Sequence, residues 1–184
     1  MKKAVVVYRS HSGVTRRYGE EIAAFLGRKG VAAQVVSVGE CDTASLADAD
    51  YLLLGCWTSG LFVVMQHPDE PWMAFVRDMP NLPAEPGARH PKVALFTTYQ
   101  LRTGSQFAKM RTALAGKVAA PQLQLQSRNG HLSASDEQAS SASSPERERR
   151  LRATTSASTA RRACLEPRSA DAKKASVEGD PAGL

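Results

Sequence analysis

A chain of 184 residues has the size of one ordinary domain with a single core, so a multidomain assembly is not expected. Its formal charge of +6 is unevenly spread: the last 49 residues carry 9 Lys/Arg and 8 Asp/Glu, which leaves 15 and 10 of the totals of 24 and 18 to the part before them. No basic run in that part is interleaved with aromatic residues, so a nucleic-acid platform is not expected.

Ala4 to Tyr8 is a continuous apolar, β-branched run, the pattern of a strand buried on both faces of a parallel sheet. From Thr15 to Arg28 the residues Tyr18, Ile22, Phe25 and Leu26 recur at helical spacing, with Arg16, Arg17, Glu20 and Glu21 opposite and Gly30 at the end. Val31 to Val38 reads as a second strand and, after a polar turn, Tyr51 to Cys56 as a third. A helix over Asp69 to Met79 carries the stripe Trp72, Phe75, Val76 and Met79 and is closed by Pro80 and Pro83. Lys92 to Thr97 gives a fourth strand, Ser105 to Ala115 a helix on Phe107, Met110, Arg111 and Leu114, and Pro121 to Gln126 a fifth strand. Strands alternating with helices at this spacing imply right-handed crossovers, hence the α/β class with a doubly wound parallel sheet.

Past Ser133 the pattern stops. Ser, Ala, Thr, Arg, Glu and Pro dominate, Phe, Trp and Tyr are absent, and Leu151, Leu165, Val177 and Leu184 stand alone. Such a segment buries too little surface to offset its ordering entropy, so residues 1–132 are expected to form the domain and 133–184 a disordered, low-complexity tail. A short helix from Ser135, or from Glu146 to Arg152, fits the propensities but has no apolar stripe.

Cys41, Cys56 and Cys164 are odd in number and lack metal spacing, which fits a reducing cytoplasm rather than a disulfide framework or a zinc site. The apolar run at the N-terminus is too short for a signal peptide or a membrane span. His11, His67, His90 and His131 show no metal-ligand pairing, and Cys56 ends a buried strand, where a thiol is inert core. Ser12 has no partner for nucleophilic catalysis, and Gly-x-Ser-x-Gly is missing, so no catalytic residue is assigned.

Ligands of an open α/β sheet bind outside the carboxyl ends of its strands, where the strand order reverses. Three loops meet that condition. Ser10-His11-Ser12-Gly13-Val14-Thr15 offers three hydroxyls, a glycine and the N–H groups of a helix start, a set suited to phosphate. It lacks the Lys of a P-loop and the spaced glycines of a dinucleotide fingerprint, so a monophosphate fits best; the bland alternative is that Ser12 or Thr15 simply caps the helix. Gly55 to Gly60 places Trp57 at a strand end, either stacked on a planar ring or lidding the core. Thr97 to Gly104 contributes Tyr99, a second aromatic wall or a surface residue, together with Gln100 and Arg102.

In order and spacing these loops resemble the flavodoxin family, over residues 3 to about 132. The resemblance implies a five-stranded sheet of order 2-1-3-4-5, noncovalently bound flavin mononucleotide (FMN) and electron transfer with redox partner proteins. It implies phosphate contacts from Ser10, His11, Ser12, Gly13, Val14 and Thr15, and ring contacts from Trp57, Thr58, Ser59, Gly60, Tyr99 and Gln100. Two other functions share the pattern: a flavin-dependent NAD(P)H or quinone reductase, and a flavin-free interaction scaffold. The chain departs from the family in two respects. Family members are usually acidic around the flavin, whereas this domain has an excess of about +5, and the amphipathic helix that normally follows the fifth strand is expected to be missing. A stripe of three or four side chains on such a helix is worth on the order of 5 kcal/mol.

Overall fold

The computed structural model describes residues 1–59, 65–82 and 90–142, all within one compact unit, Met1–Ser144. Five strands, β1 (Lys2–Arg9), β2 (Val31–Ser37), β3 (Tyr51–Trp57), β4 (Lys92–Thr98) and β5 (Leu123–Ser127), pair in parallel in the order β2-β1-β3-β4-β5. This is the doubly wound sheet that the alternation of elements predicts. The helices are α1 (Val14–Arg28), α2 (Glu70–Asp78), α3 (Gln106–Leu114) and α4 (Ala134–Ala142). The register sets Arg9 opposite Cys56 and Trp57 opposite Thr98, so the carboxyl ends of β1, β3 and β4 finish side by side.

Alternation along the central strands sorts the core into two layers. Ala4, Val6, Leu53, Phe96 and Leu125 face α1, whose Tyr18 and Ile22 are fully buried. Val5, Val7, Leu52, Leu54 and Leu95 face α2 and α3, where Trp72, Met79, Met110 and Leu114 are equally buried. The stripe expected on α2 is the one that packs. On α3 the buried set is Gln106, Met110 and Leu114, with Phe107 half-buried and Arg111 exposed. The polar turn before β3 holds a 3-10 helix over Thr43–Asp48, because the Asp42 carboxylate accepts the Ala44 N–H at 3.0 Å and Leu46 is buried beneath it.

α1 lies close to the sheet because two glycines make room for one ring. Phe96 packs across Gly55 of β3 and under Gly19 of α1, edge-on to Tyr18 at 5.9 Å. A Cβ at Gly19 would lie 3.3 Å from Val6 Cγ1 and 3.5 Å from Phe96 Cζ.

β5 runs into a tight turn. The Gly130 N–H donates to Ser127 Oγ at 3.1 Å, and Ser127 Oγ donates to the His131 carbonyl at 2.8 Å. Gly130 has φ 79°, and a Cβ there would sit 2.6 Å from the Val14 carbonyl oxygen, so this turn rests directly on the start of α1. Glu21 closes the arrangement, accepting the Leu132 N–H at 2.6 Å and bonding His131 Nδ1 at 2.6 Å; the Leu132 bond is the main reason its carboxyl lies below its ordinary pKa.

Among the described residues β5 is followed by one nine-residue helix, α4, with no buried side chain over residues 134–140 and no apolar stripe. It is held by polar contacts instead: Tyr18 donates its hydroxyl to Asp136 Oδ2 at 3.0 Å, and Arg28 pairs with Glu137 at 3.0 Å. Burial, and then the Asp136 carboxylate, push the Tyr18 phenol well above its ordinary pKa. Tyr18→Phe should therefore lower stability by about 1–2 kcal/mol, or about 3–5 °C in Tm, measured by circular dichroism. An unchanged melt would mean that this bond contributes nothing and that α4 rides freely on the surface. The expected disorder of the tail concerns residues that, from 143 on, lie outside the described ones.

Candidate functional site

The strand order reverses between β1 and β3, and above this point a cleft of about 370 Å3 opens along the carboxyl edge. Ser12, Val14, Trp57, Thr58, Tyr99 and Gln100 line it, so all three loops singled out by sequence contribute. Gln66, Thr98, Leu101, Arg102 and Arg128 complete the wall. The volume falls within the range of about 300–1,000 Å3 for small-molecule sites.

In the first loop, α1 is capped by Gly13, which takes φ 84°, a left-handed conformation that glycine adopts without penalty. No side chain caps this helix, so neither Ser12 nor Thr15 serves the capping role. Thr15 is buried, and its hydroxyl shares a 2.7 Å hydrogen bond with that of Thr98; it braces the first loop against β4 and does not line the cleft. Ser10 Oγ is buried without a hydrogen-bond partner among the described residues. A buried hydroxyl left unpaired costs about 1–3 kcal/mol, and this one precedes a helix start whose first N–H groups have no side-chain cap. His11 and Ser12 are exposed, and His11 stacks on Trp57 with ring centroids 5.3 Å apart.

The Trp57 indole is held from below. Its Nε1 donates to Asp69 Oδ2 at 3.0 Å, and the same oxygen receives Arg9 Nε at 2.7 Å. Asp69 also caps α2, where its Oδ1 accepts the Trp72 N–H at 3.4 Å, and it receives the Cys56 thiol at 3.5 Å. One carboxylate thus ties the ends of β1 and β3 to the start of α2. Burial raises the Cys56 thiol far above its ordinary pKa, so at neutral pH it is an unreactive hydrogen-bond donor. Thr58 continues the strand, donating its N–H to the Thr98 carbonyl at 2.8 Å. Ser59 leaves the cleft to pair with His67 through two backbone bonds of 3.0 and 3.2 Å, and Gly60 lies outside the described residues.

Asp69, Gln66 and Arg128 were not legible as site residues. Asp69 does carry a helix-start signal, followed as it is by Glu70-Pro71, but its contacts to Arg9 and Trp57 span 60 and 12 positions. Gln66 is 6% exposed and its Oε1 has no partner among the described residues, although the side chain reaches the cleft. Arg128 sits in a polar turn with nothing in the local sequence to mark it.

A parallel 2-1-3-4-5 sheet wrapped by helices on both faces, with a cleft over its carboxyl edge, defines the flavodoxin-like class of α/β folds, and this chain has that fold. Among solved structures it is similar to a flavodoxin from the domain Archaea, at 24% identity and a TM-score of 0.50, covering 74% of this chain and 89% of that one. It is similar to a short-chain flavodoxin associated with a non-canonical PDU bacterial microcompartment, at 16% identity and a TM-score of 0.58, covering 76% and 91%. The two-electron reduced Megasphaera elsdenii flavodoxin gives 19% identity, a TM-score of 0.54 and coverages of 68% and 86%. No protein-family model and no curated protein matches the sequence.

Proposed function

We propose that the chain is an FMN-binding electron-transfer protein. The observation that carries this reading is one cleft at the strand-order reversal, walled by Trp57 and Tyr99 and beginning at an uncapped helix start beside the buried, unpartnered Ser10 hydroxyl. The donor set fits the group: Ser10, His11, Ser12 and the N–H groups of Gly13, Val14 and Thr15 suit a dianionic phosphate, and the aromatic walls suit a planar ring. Thr58, Ser59, Gly60 and Gln100 complete the proposed set of ring contacts, and Thr15 acts chiefly through its bond to Thr98. The bound flavin supplies reversible acceptance and release of electrons. The protein's own residues orient it, exclude water from its faces and set the surrounding charge.

Among the described residues no acidic side chain lines the cleft, whereas Arg102 and Arg128 do. A cation favours the negatively charged reduced flavin, so Arg102→Ala should lower the reduction potential, by on the order of tens of millivolts at an effective dielectric of about 20 or more. Spectroelectrochemical titration reads this directly, and an unchanged potential would remove Arg102 from the site. The reading itself is tested by titrating the purified chain with FMN. Saturable fluorescence quenching with a shifted flavin absorption band supports it, and no uptake refutes it in favour of a flavin-free scaffold. Steady consumption of NAD(P)H by the loaded protein would instead mark a reductase. Cytoplasmic location and exchange of electrons with partner proteins belong to the same proposal; no helix among the described residues is long and apolar enough to cross a membrane.

A further inference from the structure

The cleft has two rims of different character. Toward β1 and β3 its charge is internally neutralised, since Arg9 is paired with Asp69 at 2.7 Å. Over β4 and β5 the charges are Arg102 and Arg128, both exposed, and neither forms an ion pair among the described residues. Beside Arg102 in the same loop, and on the same cleft wall, is Leu101, 77% exposed.

These three residues are held in place by fixed backbone. The Tyr99 N–H donates to the Ser127 carbonyl at 3.2 Å, and Thr103 Oγ1 donates to Gln126 Oε1 at 3.2 Å, so the loop carrying Leu101 and Arg102 is stitched to the end of β5. The Gln106 N–H returns to the Thr103 carbonyl at 2.9 Å and starts α3. On the other side Arg128 lies in the turn closed by the Gly130 N–H to Ser127 Oγ bond, with Gly130 against Val14 at the start of α1. An exposed apolar side chain and two arginines on one hydrogen-bonded rim can serve an interface: burying Leu101 supplies area, and guanidinium groups, which interfaces favour, take carboxylates in bidentate fashion.

We propose that this rim is a docking surface for an acidic redox protein, with Leu101 as the apolar anchor and Arg102 and Arg128 as receivers of the partner's carboxylates. The proposal rests on the flavin reading for the redox character of the partner. It follows the chain's departure from the flavodoxin resemblance, whose members are usually acidic around the flavin, whereas this domain has an excess of about +5. Its physical consequence is that cations at the mouth of the cleft raise the local concentration of anions and steer an acidic surface onto the exposed edge of the site.

Two measurements test it, the first without flavin. Trp72 is fully buried and Trp57 is half-buried in the cleft, so collisional quenching of tryptophan fluorescence reports on Trp57. With each quenching constant divided by that of free N-acetyltryptophanamide under the same conditions, iodide should quench about three- to tenfold more strongly than caesium at low ionic strength, and the gap should close near 0.5 M salt. In Arg102→Gln/Arg128→Gln the normalised gap should shrink to near unity at all salt concentrations, while quenching by neutral acrylamide stays as in the parent. Equal normalised quenching by iodide and caesium in the parent chain overturns the docking surface whether or not flavin binds.

The second measurement uses the FMN-loaded, chemically reduced protein with two haem proteins as acceptors, acidic cytochrome b5 and basic cytochrome c. In each case one electron leaves the flavin and reduces one haem iron from ferric to ferrous. The rate to cytochrome b5 should fall as salt rises and drop about tenfold in the double variant at low salt, and Leu101→Ser should lower it further. The rate to cytochrome c should show the opposite salt dependence. A salt-independent rate to cytochrome b5, equal in parent and double variant, overturns the proposal. A retained iodide preference in a chain that takes up no FMN overturns the flavin reading, and the redox partner with it.

Discussion

Gly55→Ala should destabilise the domain by about 3 kcal/mol or more, lowering Tm by about 10 °C, because the added methyl would meet a ring that has no room to move. A Cβ at position 55 would lie 2.1, 2.2 and 2.4 Å from three atoms of the Phe96 ring. Phe96 is fully buried; Gly55 is its register partner, and Gly19 and Tyr18 of α1 close over the ring from the other side. Rotating the ring drives it into α1, and moving β3 instead shifts Trp57, two residues on, out of the cleft wall. Both responses cost energy that a close-packed interior does not supply. Urea unfolding of Gly55→Ala and of Gly55→Ala/Phe96→Leu provides the check. The smaller residue should restore much of the loss, and a single variant as stable as the parent would show that the ring does not fill the space over Gly55.

Trp57→Ala should weaken FMN binding about 30- to 100-fold, the loss of about 2–3 kcal/mol of stacking and apolar burial in the proposed site. The indole can serve as a wall because its orientation is fixed: Nε1 is bonded to Asp69, Asp69 to Arg9, and His11 lies against the ring. Asp69→Asn should therefore give a smaller weakening in the same direction, since an amide holds Arg9 less firmly and need not present an acceptor to the indole. Comparing FMN with riboflavin separates the two ends of the cleft. Trp57→Ala should weaken both ligands alike, whereas Ser10→Ala, which removes the buried and unpartnered hydroxyl, should weaken FMN and leave riboflavin unchanged. Equal affinities of parent and Trp57→Ala for FMN would remove the indole from the proposed site.

Much of this architecture is legible in the sequence. Val5 to Val7 and Leu52 to Leu54 are continuous apolar runs because both faces of a central parallel strand are covered, and a run of that kind has few other uses. Tyr18, Ile22 and Phe25 mark α1 because burial at helical spacing leaves a periodic trace in the chain. The order of the three loops follows from the alternation of elements, and Ser12 and Val14, Trp57 and Thr58, Tyr99 and Gln100 of those loops line one cleft. The composition after Ser133 reads as a disordered tail, with a short helix from Ser135 only as an alternative; residues Ala134–Ala142 form α4, attached through Tyr18, Arg28 and their carboxylate partners.

What the chain determined by itself is therefore whatever depends on periodic burial or on the backbone chemistry of a loop: five strands, the helices that cross between them, and a hydroxyl-rich turn at the start of α1. The tertiary structure alone decided how those loops are wired. Thr15 became a brace to Thr98, 83 positions away, Asp69 became the support under Trp57, and Arg128 came to share a rim with Arg102. The reason is that periodicity records only whether a residue is buried, whereas a hydrogen bond or a shared rim depends on which strand ends lie side by side, and distant parts of a chain meet only when the sheet is assembled.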